Sequence, residues 1–404
     1  MQMFSGVSDM LIGWLLAAAT LAARFISNFN RSKGQSQSSE IESTINELLK
    51  TSSDQDIKSL RPLGEMPFAR SVWIDFLGDQ ENTAAFSVSF EPPEGTRAVL
   101  KRSSSPGGME SLVRQHERLA MAHAELPTGE CDFSIPQILA FSRASGVVWS
   151  IEKFIGGKDG RSVIQAPDLR AAALVATANA IDCLQSCTVK ATVIDTAWIE
   201  EWIDRPAAVL CEPVHTLMSR RARQAAVATF KLQQRTYWFG RTVPLGWYHG
   251  DFNPGNILFR QDRWRPETNG QVAGNRPSLA AVEGIIDWDR AGRNGPQGFD
   301  ICHLAISARR VLTGRQVGEI IRDLLLEGRW NADELAWFGR CKALDGPAGE
   351  WTSEPAALRA MVGLVWLRLM IANIEKSSDY LSNRLWSAAN VERVLKLSLR
   401  NITA

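Results

Sequence analysis

The chain has 404 residues, 45% of them apolar and 22% charged, with a formal net charge of +1. That length can bury a sizeable core and suits more than one lobe. Near-neutral charge without a Lys/Arg block excludes nucleic acid as an expected partner. The six cysteines, at 131, 183, 187, 211, 302 and 341, form no C-x-x-C pair, and only Cys302 has a neighbouring histidine, His303. The expectation is reduced, mostly buried thiols in a cytosolic compartment. The 14 Trp against 3 Tyr read as core and groove packing. His116, His123, His215 and His303 are scattered and receive no role.

In chain order, residues 1–31 come first as a predicted apolar helix. Met10 to Ala23 is uncharged and almost wholly apolar, and Phe25, Ile26 and Phe29 extend it. No basic residue precedes it, which argues against a secretory signal. The run is shorter than the roughly 20 residues that span a bilayer. Arg24, Arg31 and Lys33 follow it, so membrane attachment through residues 10–29 leaves the rest of the chain on the cytoplasmic face. A helix packed on the body and a partner-binding helix stay open beside that reading. Residues 32–62 read as a Ser/Gln-rich linker with a short helix, Ile41 to Leu49.

Residues 63–154 read as a small β-rich lobe. A turn at Gly78 to Thr83 precedes a strand from Ala84 to Phe90, and Thr96 to Lys101 is a second strand ending in a lysine. A helix is predicted from Glu110 to Leu126, then a Pro-led strand near Ile135 to Leu139 and another from Val147 to Phe154. Residues 155–404 read as mostly helical. Ala166 to Phe239 carries a broad apolar stripe, and Ile301 onward is helical to the end. Between them lie short strands at Leu245–Tyr248, Ile257–Phe259 and Val282–Ile286, with an extended polar loop at 261–278.

The informative stretch is His249-Gly250-Asp251-Phe252-Asn253-Pro254-Gly255-Asn256, a turn-rich segment between two of those strands. Turn residues alone explain a surface turn. The next strand, however, ends in a second acid, Ile286-Asp287-Trp288-Asp289, followed by Gly292, Asn294, Gly295 and Pro296. Phosphoryl transfer asks for a base at the acceptor hydroxyl and a metal across the phosphates. An Asp and an Asn five residues apart supply both in the protein-kinase pattern, and a later Asp is the second metal ligand. Asp251 is then the base, and Asn256 and Asp287 hold Mg²⁺, which takes few protein oxygens and fills its shell with phosphates and water. Asp289 is read evenly as a further metal ligand or a capping carboxylate.

These residues resemble the aminoglycoside phosphotransferase and choline kinase family, through His249-Gly250-Asp251 with Asn256, Ile286-Asp287-Trp288-Asp289 and Asp300-Ile301-Cys302. The resemblance implies an α+β, two-lobed protein-kinase-like fold, with a small β-rich N-lobe and a mostly helical C-lobe. It implies His249 and Asp300 as structural braces of the catalytic loop. It implies Lys101 on the nucleotide phosphates, paired to a helix glutamate. Glu110 and Glu117 are the candidates, seven apart on one helical face, and Glu117 is preferred over an alignment that puts Gln115 there. Glu152, Phe154 and Ile155 fall where the family holds adenine. The turn at Gly78 to Thr83 resembles the hairpin over the phosphates but is poor in glycine.

The expected activity is transfer of the γ-phosphoryl of ATP, with GTP also open, to a hydroxyl of a small molecule. An inert pseudokinase scaffolding partners at a membrane is the rival from another class. A protein kinase is disfavoured by Gly250, by Asp287-Trp288-Asp289 and by the lack of an Ala-Pro-Glu segment. Glu200, Glu201 and Asp204 are candidates for an acidic pocket that takes an amine acceptor; a sugar, amino alcohol or lipid-linked acceptor is equally allowed.

Overall fold

The computed structural model describes residues 72–80, 83–90, 97–103, 105–126, 131–144, 146–211, 218–260, 281–341, 344, 349–376, 380 and 383–400. The expected helix of residues 1–31, the linker of 32–62 and the loop of 261–278 lie outside the described residues. Two compact units emerge, and α+β is the class of the whole. The described part of the first is residues 72–113 with 137–154; the second holds 114–136 and everything from 155 onward.

The first unit is an antiparallel sheet. Its strands are β1 (Val72–Gln80), β2 (Thr83–Phe90), β3 (Arg97–Ser103), β4 (Ile138–Ala144) and β5 (Val147–Lys153), in the order β1-β2-β3-β5-β4. Gln80 pairs with Thr83 across a two-residue connection, which is the hairpin the sequence predicts after Gly78. Interior strand β5 is buried at Val148, Trp149, Ser150, Ile151 and Glu152, so both faces of that strand are covered. Helix α1 (Pro106–Glu125) leads out of this sheet.

The second unit carries two three-stranded sheets. One has the order β10-β9-β6, from β6 (Lys158–Asp159), β9 (Ile257–Phe259) and β10 (Val282–Ile285). The other has the order β11-β8-β7, from β7 (Lys190–Val193), β8 (Thr242–Tyr248) and β11 (Gly292–Pro296). This topology places the chemistry. The 249–256 segment runs from β8 to β9, and the 286–291 segment runs from β10 back to β11. Because β8 pairs with β11 and β9 with β10, both segments bridge the same two sheets side by side.

Four helices of this unit matter below: α2 (Pro167–Ser186), α3 (Arg220–Trp238), α4 (Phe299–Thr313) and α5 (Pro355–Lys376). Helix α5 is long and apolar enough to cross a membrane, but most of that stretch is buried inside the protein. Its Trp366 is fully buried, edge-on to Phe230 of α3 at 5.1 Å, and donates from Nε1 to the Asn390 carbonyl at 2.8 Å. Trp202, Trp247, Trp288 and Trp366 are among the largest fully or almost fully buried side chains, in keeping with the packing role expected of tryptophan.

Two expectations are corrected. The stretch from Ala166 to Phe239 is not helical throughout, since β7 interrupts it. Four mostly exposed residues give no alternating signal of their own; pairing with β8, from Lys190↔Leu245 to Val193↔Thr242, makes them a strand. The cysteines are not all free thiols either. Cys131 and Cys183 form a disulfide that closes 52 residues of sequence and ties the segment after α1 to α2. No short spacing announces it; the fold brings the two Cα atoms to 5.8 Å, inside the range a disulfide needs. Among the described residues, Cys187, Cys211, Cys302 and Cys341 remain thiols, of which Cys302 and Cys341 are buried.

Candidate active site

Strand β8 is buried along most of its length and delivers His249 at its end, with no exposed surface. Asp300, in the first turn of α4, holds the loop from beneath. Its two carboxylate oxygens accept the backbone N–H groups of His249 at 2.7 Å and Gly250 at 3.0 Å. The His249 ring packs edge-on to Trp288 at 5.1 Å, and its Nε2 donates to the Ile286 carbonyl at 3.0 Å. That bond fastens the first loop to the second. His249 and Asp300 therefore sit where braces of the loop belong.

Gly250 turns the chain with a φ of +78°, a conformation L side chains rarely adopt. Asp251 follows, its side chain 36% exposed. Each of its carboxylate oxygens receives an amide. Asn253 Nδ2 donates to Oδ1 at 3.1 Å, and Asn256 Nδ2 donates to Oδ2 at 3.2 Å and to the Asp251 carbonyl at 2.8 Å. Asn253 Oδ1 accepts the Gly255 N–H at 2.9 Å and so caps the 3₁₀ turn Pro254–Asn256. With both N–H bonds of Asn256 spent on Asp251, its Oδ1 is the atom left to face a metal.

The second loop is bonded to the first by backbone. The Ile286 N–H donates to the Asn256 carbonyl at 2.9 Å, which puts Asp287 beside Asn256. Asp287 has a φ of 68°, and no other non-glycine residue among those described has a positive φ. Trp288, fully buried, donates from Nε1 to the Ile285 carbonyl at 2.7 Å. Asp287 is thus a strained residue clamped between two anchored neighbours, a pattern found at functional sites. Asp289 lies 3.8 Å from Arg290 and pairs with it.

One neighbour has no counterpart in the sequence reading. His303, one helical turn beyond Asp300 and 2% exposed, brings Nε2 to 4.0 Å from Asp251 Oδ1. Burial depresses the His303 pKa to about 4 against a smaller opposing field from Asp251, so the ring is neutral at pH 7. Burial pushes the Asp251 carboxyl up, but His303, His249 and the amides of Asn253 and Asn256 together outweigh it, leaving Asp251 below its ordinary value and ionised. Burial raises Asp300 to about 6, partly opposed by His249 and the two N–H bonds. The i, i+3 spacing from Asp300 is the one sequence signal that points to His303.

In the first unit, Lys101 on β3 pairs with Glu152 on β5 at 3.2 Å, both side chains largely buried. Glu117 and Glu110, the expected partners, are exposed on α1. Gln115, two residues before Glu117, is the buried one, and at 3.6 residues per turn the two point to different sides. Glu152 therefore lends its carboxylate to Lys101 as well as its backbone to the stretch expected to meet adenine. Phe154 and Ile155 are half-buried, and Ile155 packs in the space that a side chain at Gly284 of β10 would fill. Of the acids expected in the acceptor pocket, Asp204 is buried and paired with Lys231 and Arg235, while Glu200 and Glu201 are exposed.

Residues 74–338 match the model of the phosphotransferase enzyme family. The chain belongs to that family. Its kinase-like fold agrees with the sheet and helix order above. Solved structures that the chain is similar to include three family enzymes. The GDP complex of wild-type aminoglycoside 2'-phosphotransferase-IIIa is 15% identical over 87% of this chain and 100% of that chain, with a TM-score of 0.49. Aminoglycoside-3'-phosphotransferase of type VIII is 18% identical over 78% and 98%, with a TM-score of 0.45. Macrolide 2'-phosphotransferase from Brachybacterium faecium is 13% identical over 80% and 92%, with a TM-score of 0.40. No curated protein matches the chain. The family motif accounts for His249, Gly250, Asp251, Asn256, Asp287 and Asp300; His303 and the Lys101–Glu152 pair come from the geometry alone.

Proposed function

We propose that this member of the phosphotransferase enzyme family moves the γ-phosphoryl of ATP or GTP to a hydroxyl of a small molecule. One observation carries the reading: Asp251 is ionised, has an amide on each carboxylate oxygen, and is joined through Asn256 and Ile286 to Asp287. A scaffold has no need of that arrangement. The part-exposed carboxylate accepts the acceptor's hydroxyl proton while the amides hold its orientation. Lys101, steadied by Glu152, meets the phosphates.

Metal fit follows from the donor set. Among the described residues there is no group of three or more His, Cys, Asp or Glu that would hold an ion by itself. That disfavours a zinc centre and suits Mg²⁺, for which Asn256 Oδ1 and Asp287 are the ligands at hand. When bound, Mg²⁺ neutralises phosphate charge. The test is thermal unfolding with ATP or GTP, with and without Mg²⁺. Nucleotide at about 100 times its Kd adds roughly 2.7 kcal/mol, and the Mg²⁺-dependent part should vanish in Asp287→Ala. Asp251→Asn should bind nucleotide but lose turnover by roughly 10²-fold or more. Near-normal turnover in Asp251→Asn, or no Mg²⁺-dependent shift in the folded wild type, overturns the reading.

A further inference from the structure

Beside Tyr248, at the end of the strand that leads into the Asp251 loop, stands an arginine with no anionic partner among the described residues. Arg368 is half-buried on α5, and among the described residues it makes neither an ion pair nor a hydrogen bond. Other half-buried arginines of this unit are engaged, Arg290 by Glu375, Arg309 by Glu334 and Arg393 by Glu319, and those with neither contact among the described residues are exposed. Leaving one guanidinium half-desolvated without an anion is unfavourable unless something else supplies the anion.

Its position is set by α5. Leu364, Arg368, Ala372 and Glu375 follow one another at helical spacing and share a face. Ala372 and Glu375 hold the Arg290 side chain, through a 2.8 Å bond to the carbonyl and a 2.9 Å bond to the carboxylate. Arg290 in turn packs its own carbonyl against Gly250. One turn earlier, Arg368 lines a notch with Trp202, Tyr248, Asn294 and Phe299. The notch holds about 10 Å³, room for one water or one ligand oxygen. Tyr248 is three residues before Asp251, within roughly 10 Å along extended backbone.

Charge decides what that notch suits. The Tyr248 hydroxyl feels Arg368 and Arg118 on one side, Asp300 and Glu201 on the other. Asp300 is already spent on His249 and Gly250, and Glu201 is exposed to water. Asp204, the buried acid nearest in sequence, is neutralised by Lys231 and Arg235. Of the acids that act on Tyr248, none is left desolvated to hold an ammonium, whereas a planar guanidinium fits carboxylate and phosphate oxygens alike.

We propose that Arg368 receives an anionic group of the acceptor, so that the substrate is a hydroxyl compound carrying a carboxylate or phosphate and not an amine. This rests on the phosphotransferase reading above. The test is calorimetric binding to the full chain, loaded with Mg²⁺ and a non-hydrolysable nucleotide, of four probes on one skeleton: glycerol, glycerate, glycerol 3-phosphate and 3-amino-1,2-propanediol. The two anions should bind at least 10-fold more tightly than the other two, and whichever anion leads identifies the carboxylate or the phosphate as the group recognised. Arg368→Glu should weaken both anions by 10-fold or more, and Arg368→Lys, which keeps the charge, by only a few-fold. The inference fails if the amine binds as well as the anions, or if Arg368→Glu leaves anion affinity unchanged. Failure of the phosphotransferase reading shows separately, as folded wild-type protein with no Mg²⁺-dependent thermal shift on nucleotide.

Discussion

Gly250→Ala tests whether the catalytic loop is held as the geometry requires. At φ +78° an alanine pays the left-handed penalty of about 1–2 kcal/mol. A Cβ there would also overlap the Arg290 carbonyl, which is backbone and is held on the other side by the contacts of Arg290 with Ala372 and Glu375. Relief requires the loop to move away from Arg290, and that strains the bonds from His249 and Gly250 to Asp300 at 2.7 and 3.0 Å. Weakening one such charge-assisted bond costs about 1.5–3 kcal/mol. The expected loss of stability is therefore about 2.5–5 kcal/mol.

Turnover should suffer further, because Asp251 is the next residue and a displacement of about 1 Å costs roughly 10²-fold. Gly255→Ala is the internal control. The atoms nearest a Cβ at Gly255 belong to the Arg161 guanidinium, the far end of an exposed, flexible side chain, and the Gly255 φ is not in the left-handed region. That substitution should cost less than about 0.5 kcal/mol. Thermal unfolding and Mg²⁺-dependent nucleotide hydrolysis measure both variants. A Gly250→Ala protein with wild-type Tm and turnover refutes the reasoning, and so does a Gly255→Ala protein damaged as badly.

Asp287 gives a second test of backbone strain: Asp287→Gly should be about 1 kcal/mol more stable than Asp287→Ala, although both lose the carboxylate, because only glycine is at ease at φ 68°. Equal stabilities by denaturant unfolding would remove strain from the account. For the disulfide, closing a 52-residue separation is worth about 4 kcal/mol in the chain-entropy view, so Cys131→Ser should lower stability by up to that amount, and reductant should lower wild type but not the variant. Reductant-insensitive wild-type unfolding counts against the cross-link. For pH, His303 stays neutral in the fold down to about 4, while the unfolded chain takes a proton near 6.5, so stability falls as pH drops through that window. Asp300 works the other way, since its folded pKa of about 6 makes stability fall as pH rises from about 4 to 6. His303→Gln should therefore remove up to about 3 kcal/mol of acid sensitivity between pH 6.5 and 4, read as the difference in unfolding curves from wild type. An unchanged pH profile would mean that His303 is protonated in the fold.

What the sequence made legible was whatever its local spacing encodes. Asp251 and Asn256 lie in one turn, so five residues suffice to bring an amide to a carboxylate, and that spacing is visible by eye. The two short apolar runs that end in the loops were readable as strands because each is brief and bounded by turn residues. The contacts that spacing cannot encode were the ones missed. His303 reaches Asp251 from α4, 52 positions away, and only its i, i+3 spacing from Asp300 marks it locally. Glu152 meets Lys101 because β3 and β5 are sheet neighbours, a pairing set by strand order. Cys131 and Cys183 meet because the fold lays the segment after α1 against α2. In each case a tertiary pairing brought together residues whose local sequence is unremarkable. The left-handed Asp287 lies between the two cases: its type and place were legible, but its strain arises only because Ile286 and Trp288 are both anchored. The residues proposed to perform the chemistry are thus set out in local sequence, while the groups packed against them are recruited by the fold. A substitution at His303 or Glu152 should therefore alter the site without touching its motif.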